Sequence, residues 1–250
     1  MTVKDDRAEF ELARRDSIAS LGRDKGVFDA SVQLILDSDR HRYSYIWSWM
    51  GAPIIQRPAD IVALQEILWE CKPDVIVETG VARGGSVIFF ASLLRAFGKP
   101  DGKVIGVDID IRAHNRDTIE KHPMASSIVL IEGSSSAPEI VAQVKSHIPE
   151  GASVMVVLDS DHSRQHVANE LRAYCDLVTK GQFFITADTI LGFIPQDKAP
   201  TYYSKLLVSG DEPLAAVHDF LAADDRFVRD PINDKLIMSS SPDGYLRRIK

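Results

Sequence analysis

Val154-Met-Val-Val-Leu-Asp-Ser-Asp-His-Ser163 sets two acids and a histidine at the end of an apolar run. Open α/β sheets bind ligands at the carboxyl ends of their strands, so these residues stand where chemistry is done. A second run, Gly181-Gln-Phe-Phe-Ile-Thr-Ala-Asp-Thr189, brings Asp188 to the same edge. Asp159 or Asp161, together with Asp188, could hold a hard divalent cation through oxygens, leaving other positions to water and acceptor hydroxyls. Such an ion lowers the pKa of a bound hydroxyl. His162 is then the expected general base, because a neutral imidazole is competent near pH 7. The same segment also has a purely structural use, since Asp161 and Ser163 are good N-caps for a helix beginning near Arg164. His166, one helical turn beyond His162, reads as an exposed helix histidine.

A ligand cradle precedes this edge in the chain. Val75-Ile-Val-Glu-Thr-Gly-Val-Ala-Arg-Gly-Gly-Ser86 is a β-branched run ending in an acid, then a glycine turn, then the start of a helical pattern. Gly80, Gly84 and Gly85 let a ligand approach the backbone, and the free N–H groups of a helix capped by Ser86 favour an electron-rich group. Ala82 stands where a dinucleotide fingerprint has its second glycine, so pyrophosphate is not the first choice. Lys103-Val-Ile-Gly-Val-Asp108 ends in an acid suited to ribose hydroxyls, and Ser127-Ile-Val-Leu-Ile-Glu-Gly133 leads into a small-residue turn. In that order, these features resemble a class I S-adenosylmethionine-dependent methyltransferase.

The elements that must position these residues alternate. Strands are expected near 75–78, 103–108, 127–132, 153–159 and 182–187, with helices near 85–97, 112–121, 137–147 and 163–178. This alternation predicts a parallel sheet covered on both faces. A helix near 212–223 and the runs Arg226–Arg229 and Lys235–Met238 are expected to add an antiparallel edge, giving a Rossmann-like seven-stranded α/β sheet. Two helices over about 5–40 and an aromatic strap, Tyr43–Gln56, form an N-terminal helical appendage, so the domains are read as 1–57 and 58–250. Gly51 and Pro53 are expected to break regular structure in the strap, which packs the appendage and walls the pocket. The segment Leu191–Tyr203 is expected to be a substrate lid.

Composition narrows the function class. The chain has 250 residues, 45% hydrophobic and 26% charged, which suits a folded protein with a sizeable core. Its net charge of -7 gives no basic footprint for nucleic acid, so a small-molecule acceptor is expected. No apolar run approaches a membrane span, and the polar start is unlike a signal peptide, so a cytoplasmic location is expected. Cys71 and Cys175 read as buried free thiols. The strap and appendage carry enough apolar surface to predict a homo-oligomer.

Trp49–Gln56, Lys72–Gly80, Gly84-Gly-Ser86 and Leu158–Ser163 together resemble the cephalosporin hydroxylase / rhamnosyl O-methyltransferase family over roughly residues 45–240. The resemblance implies an S-adenosylmethionine-dependent, magnesium-assisted O-methyltransferase acting on a sugar hydroxyl of a glycolipid, polysaccharide or natural product. The alternatives are a small non-sugar diol as acceptor, or a catalytically weak protein of this fold that supports a partner enzyme. It places Glu78, Gly80, Arg83, Gly84 and Ser86 at the cofactor, joined by Asp108 on the ribose and by Gly133, Ser134 and Asp159. Asp161 and Asp188 are implied as metal ligands, with Asp159 as a further candidate. The family usually shows Glu-Asp at the end of the fifth strand, where this chain has Ala187-Asp188, so one carboxylate of the implied cluster is missing.

Overall fold

The structure, a computed structural model, describes residues 5–195, 197 and 210–250. Its centre is a seven-stranded sheet in the order β5-β4-β3-β6-β7-β9-β8. The parallel strands are β3 (Val75–Thr79), β4 (Lys103–Asp108), β5 (Ile128–Glu132), β6 (Val154–Leu158) and β7 (Phe183–Thr186). Every residue of β3, β6 and β7 is buried, the expected state of strands covered on both faces. Side chains alternate between the two layers. Ile76, Met155, Val157 and Ile185 face α3 (Pro58–Cys71) and α4 (Gly85–Ala96); Val75, Val77, Val156 and Phe184 face α6 (Pro138–Ser146), α7 (Arg164–Tyr174) and α8 (Pro213–Ala223).

Strand order decides where a ligand can sit. From β3 the chain runs outward through β4 to β5, then returns to β6 on the other side of β3. The loops after β3 and β6 therefore diverge and leave a crevice at the switch point. Gly80 permits the close approach there, because a Cβ on it would lie 1.7 Å from the Asp159 carbonyl oxygen, and its φ is +90°. Helix α4 (Gly85–Ala96) starts directly from this turn and is buried along most of its length, which suits its nearly unbroken apolar sequence.

The antiparallel edge differs from expectation. Phe227–Arg229 is β8, but its partner is β9, Tyr245–Arg248, and not 235–238. Pro231–Lys235 instead winds into a 3₁₀ turn capped by Asp230, whose Oδ1 accepts from Ile232 N at 2.8 Å. Gly244 then passes 2.1 Å (by its absent Cβ) from the Thr186 carbonyl, letting β9 enter beside β7.

The aromatic strap is also more regular than expected. Trp47–Trp49 (β1) and Ala52–Ile54 (β2) form an antiparallel hairpin around Met50-Gly51. Both loop residues have positive φ, 46° and 90°, the signature of the tight turn that matches strand twist. Trp49 fastens the hairpin to α4 by donating from Nε1 to Ser92 Oγ at 3.0 Å and by an edge contact with Phe89. Ahead of it, α1 (Arg7–Leu21) and α2 (Lys25–Asp39) are the two N-terminal helices. Val32, Ile35 and Leu36 of α2 pack on Ile190, Leu191 and Ile194, just beyond the end of β7. Among the described residues no helix is long and apolar enough to cross a membrane.

Candidate active site

A cavity of about 290 Å³ opens at the switch point. Gly80, Val81, Ala82, Arg83, Gly85 and Ser86 form one wall, and Asp159, Ser160, His162, Ala187 and Asp188 form the other. The cofactor turn is held from behind. Asp108 Oδ2 accepts from the backbone N–H groups of Val81 and Ala82, both at 2.9 Å, and Oδ1 from Asp110 at 3.2 Å. Asp108 therefore fixes the shape of the turn, a use that sequence reading did not foresee for an acid expected to meet a ribose. Gly84, with φ +85°, caps α4, and Arg83 is exposed at the rim, 3.4 Å from His114. Gly133 and Ser134 lie two strands away from β3, after β5, where Gly133 N donates to the Asp108 carbonyl at 2.8 Å.

Glu78 sits beneath this turn. It is buried, and its Oε2 has no hydrogen-bond partner among the described residues. Burial pushes its carboxyl up to about 8; a hydrogen bond from Ser86 works against the rise and the Asp108 charge adds to it.

Across the crevice the acids converge. Asp159, His162 and Asp188 each offer a ligand atom within 4.8 Å of the others. His162 Nε2 lies 3.2 Å from Asp188 Oδ2. Burial, and then the charges of Asp188, Glu78, Glu170 and Asp60, hold the Asp159 carboxyl well above the usual carboxylate range. A divalent cation would relieve that crowding, and two carboxylates with one imidazole are a suitable donor set for it.

Asp161 does not join the group. It is exposed, and its Oδ1 accepts from Ser163 N at 2.8 Å, while Ser163 caps α7 by accepting from His166 N. The backbone turns between Asp159 and Asp161, so the two acids leave the strand end in different directions. The hydrogen bond to Ser163 holds the Asp161 carboxyl below its ordinary value.

The strap walls the cavity as expected, while its pairing with Asp159 and the residues buried behind the site carried no sequence signal. Gln56 donates from Nε2 to Asp159 Oδ2 at 3.4 Å, and Tyr45, Pro53 and Ile55 from the strap line the cavity. Arg57, buried at the cavity floor, donates to Asp39 Oδ2 at 2.7 Å and to the Ser240 hydroxyl. Glu170, fully buried on α7, accepts from Ser160 Oγ at 2.7 Å and faces His166 Nε2 at 3.4 Å. The one-turn spacing of His166 and Glu170 is the sequence signal that could have announced this pair, and the expectation of an exposed His166 left it unused. His166 is thus half-buried and paired, contrary to the exposed position expected, and the Glu170 carboxylate raises its pKa. Of the expected lid, Leu191 lines the cavity, while residues 196 and 198–203 lie outside the described residues.

Known proteins share this architecture. The family described as Rhamnosyl O-methyltransferase/CmcI matches residues 41–249. A rhamnosyl O-methyltransferase of Mycobacterium leprae (strain TN) is 33% identical over 158 residues, 61% of this chain and 66% of that protein. One from Mycobacterium tuberculosis (strain ATCC 25618 / H37Rv) is 29% identical over 222 residues, 83% of each chain. Among solved structures, CmcI with magnesium and S-adenosylmethionine is 25% identical with a TM-score of 0.55, covering 82% of this chain and 78% of its own. An O-methyltransferase from Bacillus cereus in complex with S-adenosylhomocysteine shares the fold at 16% identity and a TM-score of 0.52, covering 80% and 81%.

Proposed function

The chain belongs to the Rhamnosyl O-methyltransferase/CmcI family and is an S-adenosylmethionine-dependent O-methyltransferase, and on that premise we propose that it methylates a sugar hydroxyl with help from a divalent cation. The observation that carries this reading is a single cavity joining the glycine turn after β3 to the acids after β6 and β7. Cofactor and acceptor can meet there. Magnesium accompanies S-adenosylmethionine in the solved relative, and rhamnosyl groups are named for the curated relatives. An acceptor hydroxyl on a rhamnose-like sugar, carried by a glycolipid, polysaccharide or natural product, follows by analogy with them.

The residues have separable tasks. Gly80, Gly85 and Ser86 would admit the methionine part of the cofactor, with Gly84 shaping the turn against Ile119, and the unpartnered Glu78 Oε2 suits its ammonium group. Asp108 keeps the Val81-Ala82 amides in place, so the turn is formed before any ligand arrives. Asp159 and Asp188 would hold the cation, and Gln56 steadies Asp159 from the strap side. A divalent cation supplies acidification of the acceptor hydroxyl, so that methyl transfer to its oxygen needs no strong base. The transfer breaks the sulfur–methyl bond as the oxygen–methyl bond forms, leaving S-adenosylhomocysteine, a methyl ether and the hydroxyl proton, which passes to solvent. Tyr45, Ile55 and Leu191 belong to the apolar part of the wall, which would keep water from the reacting atoms.

A screen of rhamnosylated lipids, glycans and nucleotide sugars with labelled S-adenosylmethionine tests the acceptor class. Label is expected in the ether of a rhamnosyl acceptor together with S-adenosylhomocysteine release. Transfer to catechol-like diols with none to sugars would replace the sugar reading by the small-diol one.

A further inference from the structure

The donor set after β6 and β7 is mixed. Two members are carboxylates, Asp159 and Asp188, and the third is the imidazole of His162, with one atom of each within 4.8 Å of the others. Ala187 lines the same cavity beside Asp188 and contributes only a methyl. The nearby acid Asp161 is committed to Ser163 N. A third oxygen donor from this group is therefore lacking, and the imidazole stands in its place.

The backbone around His162 fixes its direction. Asp161 closes the turn on one side of it and Ser163 caps α7 on the other, so residue 162 projects between two locked neighbours. Its Nε2 points at Asp188 Oδ2, 3.2 Å away, a geometry in which the pair shares a proton or a cation. With Nε2 turned to Asp188, only Nδ1 is left for an acceptor proton, and the two roles of this imidazole are told apart by whether a metal takes Nε2.

Resting on the reading that this edge holds a divalent cation, we propose that His162 is a ligand of that cation and not the general base, and that the site binds a first-row transition dication such as Co²⁺ or Mn²⁺ more tightly than Mg²⁺. Mg²⁺ demands near-ideal octahedral oxygen coordination and sheds water reluctantly, so an imidazole and only two carboxylates serve it poorly. Imidazole suits the later first-row metals, whose affinities for a given nitrogen and oxygen site rise from Mn²⁺ to Co²⁺. Mg²⁺ still enters the site, at higher concentration. Position 187 tunes the balance, since an acid there would add the hard donor that is missing.

Calorimetric titration of the full chain with Mg²⁺, Mn²⁺ and Co²⁺, S-adenosylhomocysteine being present throughout, tests the proposal. Co²⁺ is expected to bind tightest and Mg²⁺ weakest, separated by at least about tenfold. The Co²⁺ form should show a paramagnetically shifted, exchangeable imidazole N–H resonance. His162→Ala should abolish that resonance and weaken Co²⁺ binding at least about tenfold, the least expected for a lost ligand. Ala187→Glu should tighten Mg²⁺ and narrow the gap. Because the resonance is read on the unaltered chain, the ligand role does not depend on how either variant folds. Mg²⁺ bound as tightly as Co²⁺, with no shifted resonance, would overturn the inference and return His162 to the role of base. Failure of all three cations to bind would overturn the cation reading itself along with the inference.

Discussion

Glu78 is where protonation and cofactor binding meet. Its carboxyl lies at about 8 in the folded protein against an ordinary 4.5, chiefly through burial. The folded state then keeps a proton that the unfolded chain releases, so the stabilisation is full below 4.5 and is lost as pH rises through about 8. Between those limits, stability should fall with a slope approaching about 1.4 kcal/mol per pH unit from this group alone. Glu78→Gln has the same shape and does not titrate. Denaturation of both forms across the range should show the wild type losing ground to the variant as pH rises, and parallel curves would contradict the assignment. A second residue-scale prediction separates two acids that sequence could not rank. Asp159→Ala should abolish cation binding, whereas Asp161→Ala should leave it within about threefold, because the Asp161 carboxylate is spent on capping the turn. Calorimetry with Mn²⁺ decides, and the reverse order would restore Asp161 as the ligand.

At the scale of elements, helix α2 and the hairpin prove to be part of the site's scaffold. Helix α2 packs on Ile190, Leu191 and Ile194, immediately after Asp188, and its last residue Asp39 pairs with Arg57 at the cavity floor. Both partners of that pair are almost fully buried, at 0% and 3% side-chain exposure. Removing one side of a buried ion pair costs about 3–5 kcal/mol, because the other charge stays in a poor solvent. Asp39→Ala should therefore lower unfolding stability by about that amount, and a loss below about 1 kcal/mol would show the pair to be incidental. The strands that carry the site were legible because β-branched runs ending in acids are local signals, as in Val75–Glu78 and Val154–Asp159. The hairpin was not, since Pro53 and Gly51 argue against strands and only the positive φ of Met50 and Gly51 rescues the turn. Tyr245–Arg248 was missed in favour of 235–238 because both runs are short and apolar at one end. The choice rests on Gly244 clearing the Thr186 carbonyl, a contact between distant parts of the chain. Asp39–Arg57 and Gln56–Asp159 are likewise long-range pairs with no periodicity to announce them.

On the scale of the whole molecule, one strand-order reversal brings every functional group to the same crevice. What it leaves outside is also informative. Phe10, Leu12, Ile46 and Met50 are more than half exposed, so α1 and the strap present apolar surface that the other described residues do not cover. We propose that a second copy covers it, and light scattering should return a multiple of 27.7 kDa; a mass of 27.7 kDa at all concentrations would refute this. On the proposed function, methyl transfer depends on a cation held by Asp159 and Asp188. The most direct test is S-adenosylhomocysteine release from S-adenosylmethionine and a rhamnosylated acceptor, measured before chelation, after it, and after a divalent cation is added back. Release should stop in chelator and return with the cation, while Asp188→Ala protein still binds the cofactor but stays inactive throughout. Undiminished release in chelator would contradict the claim.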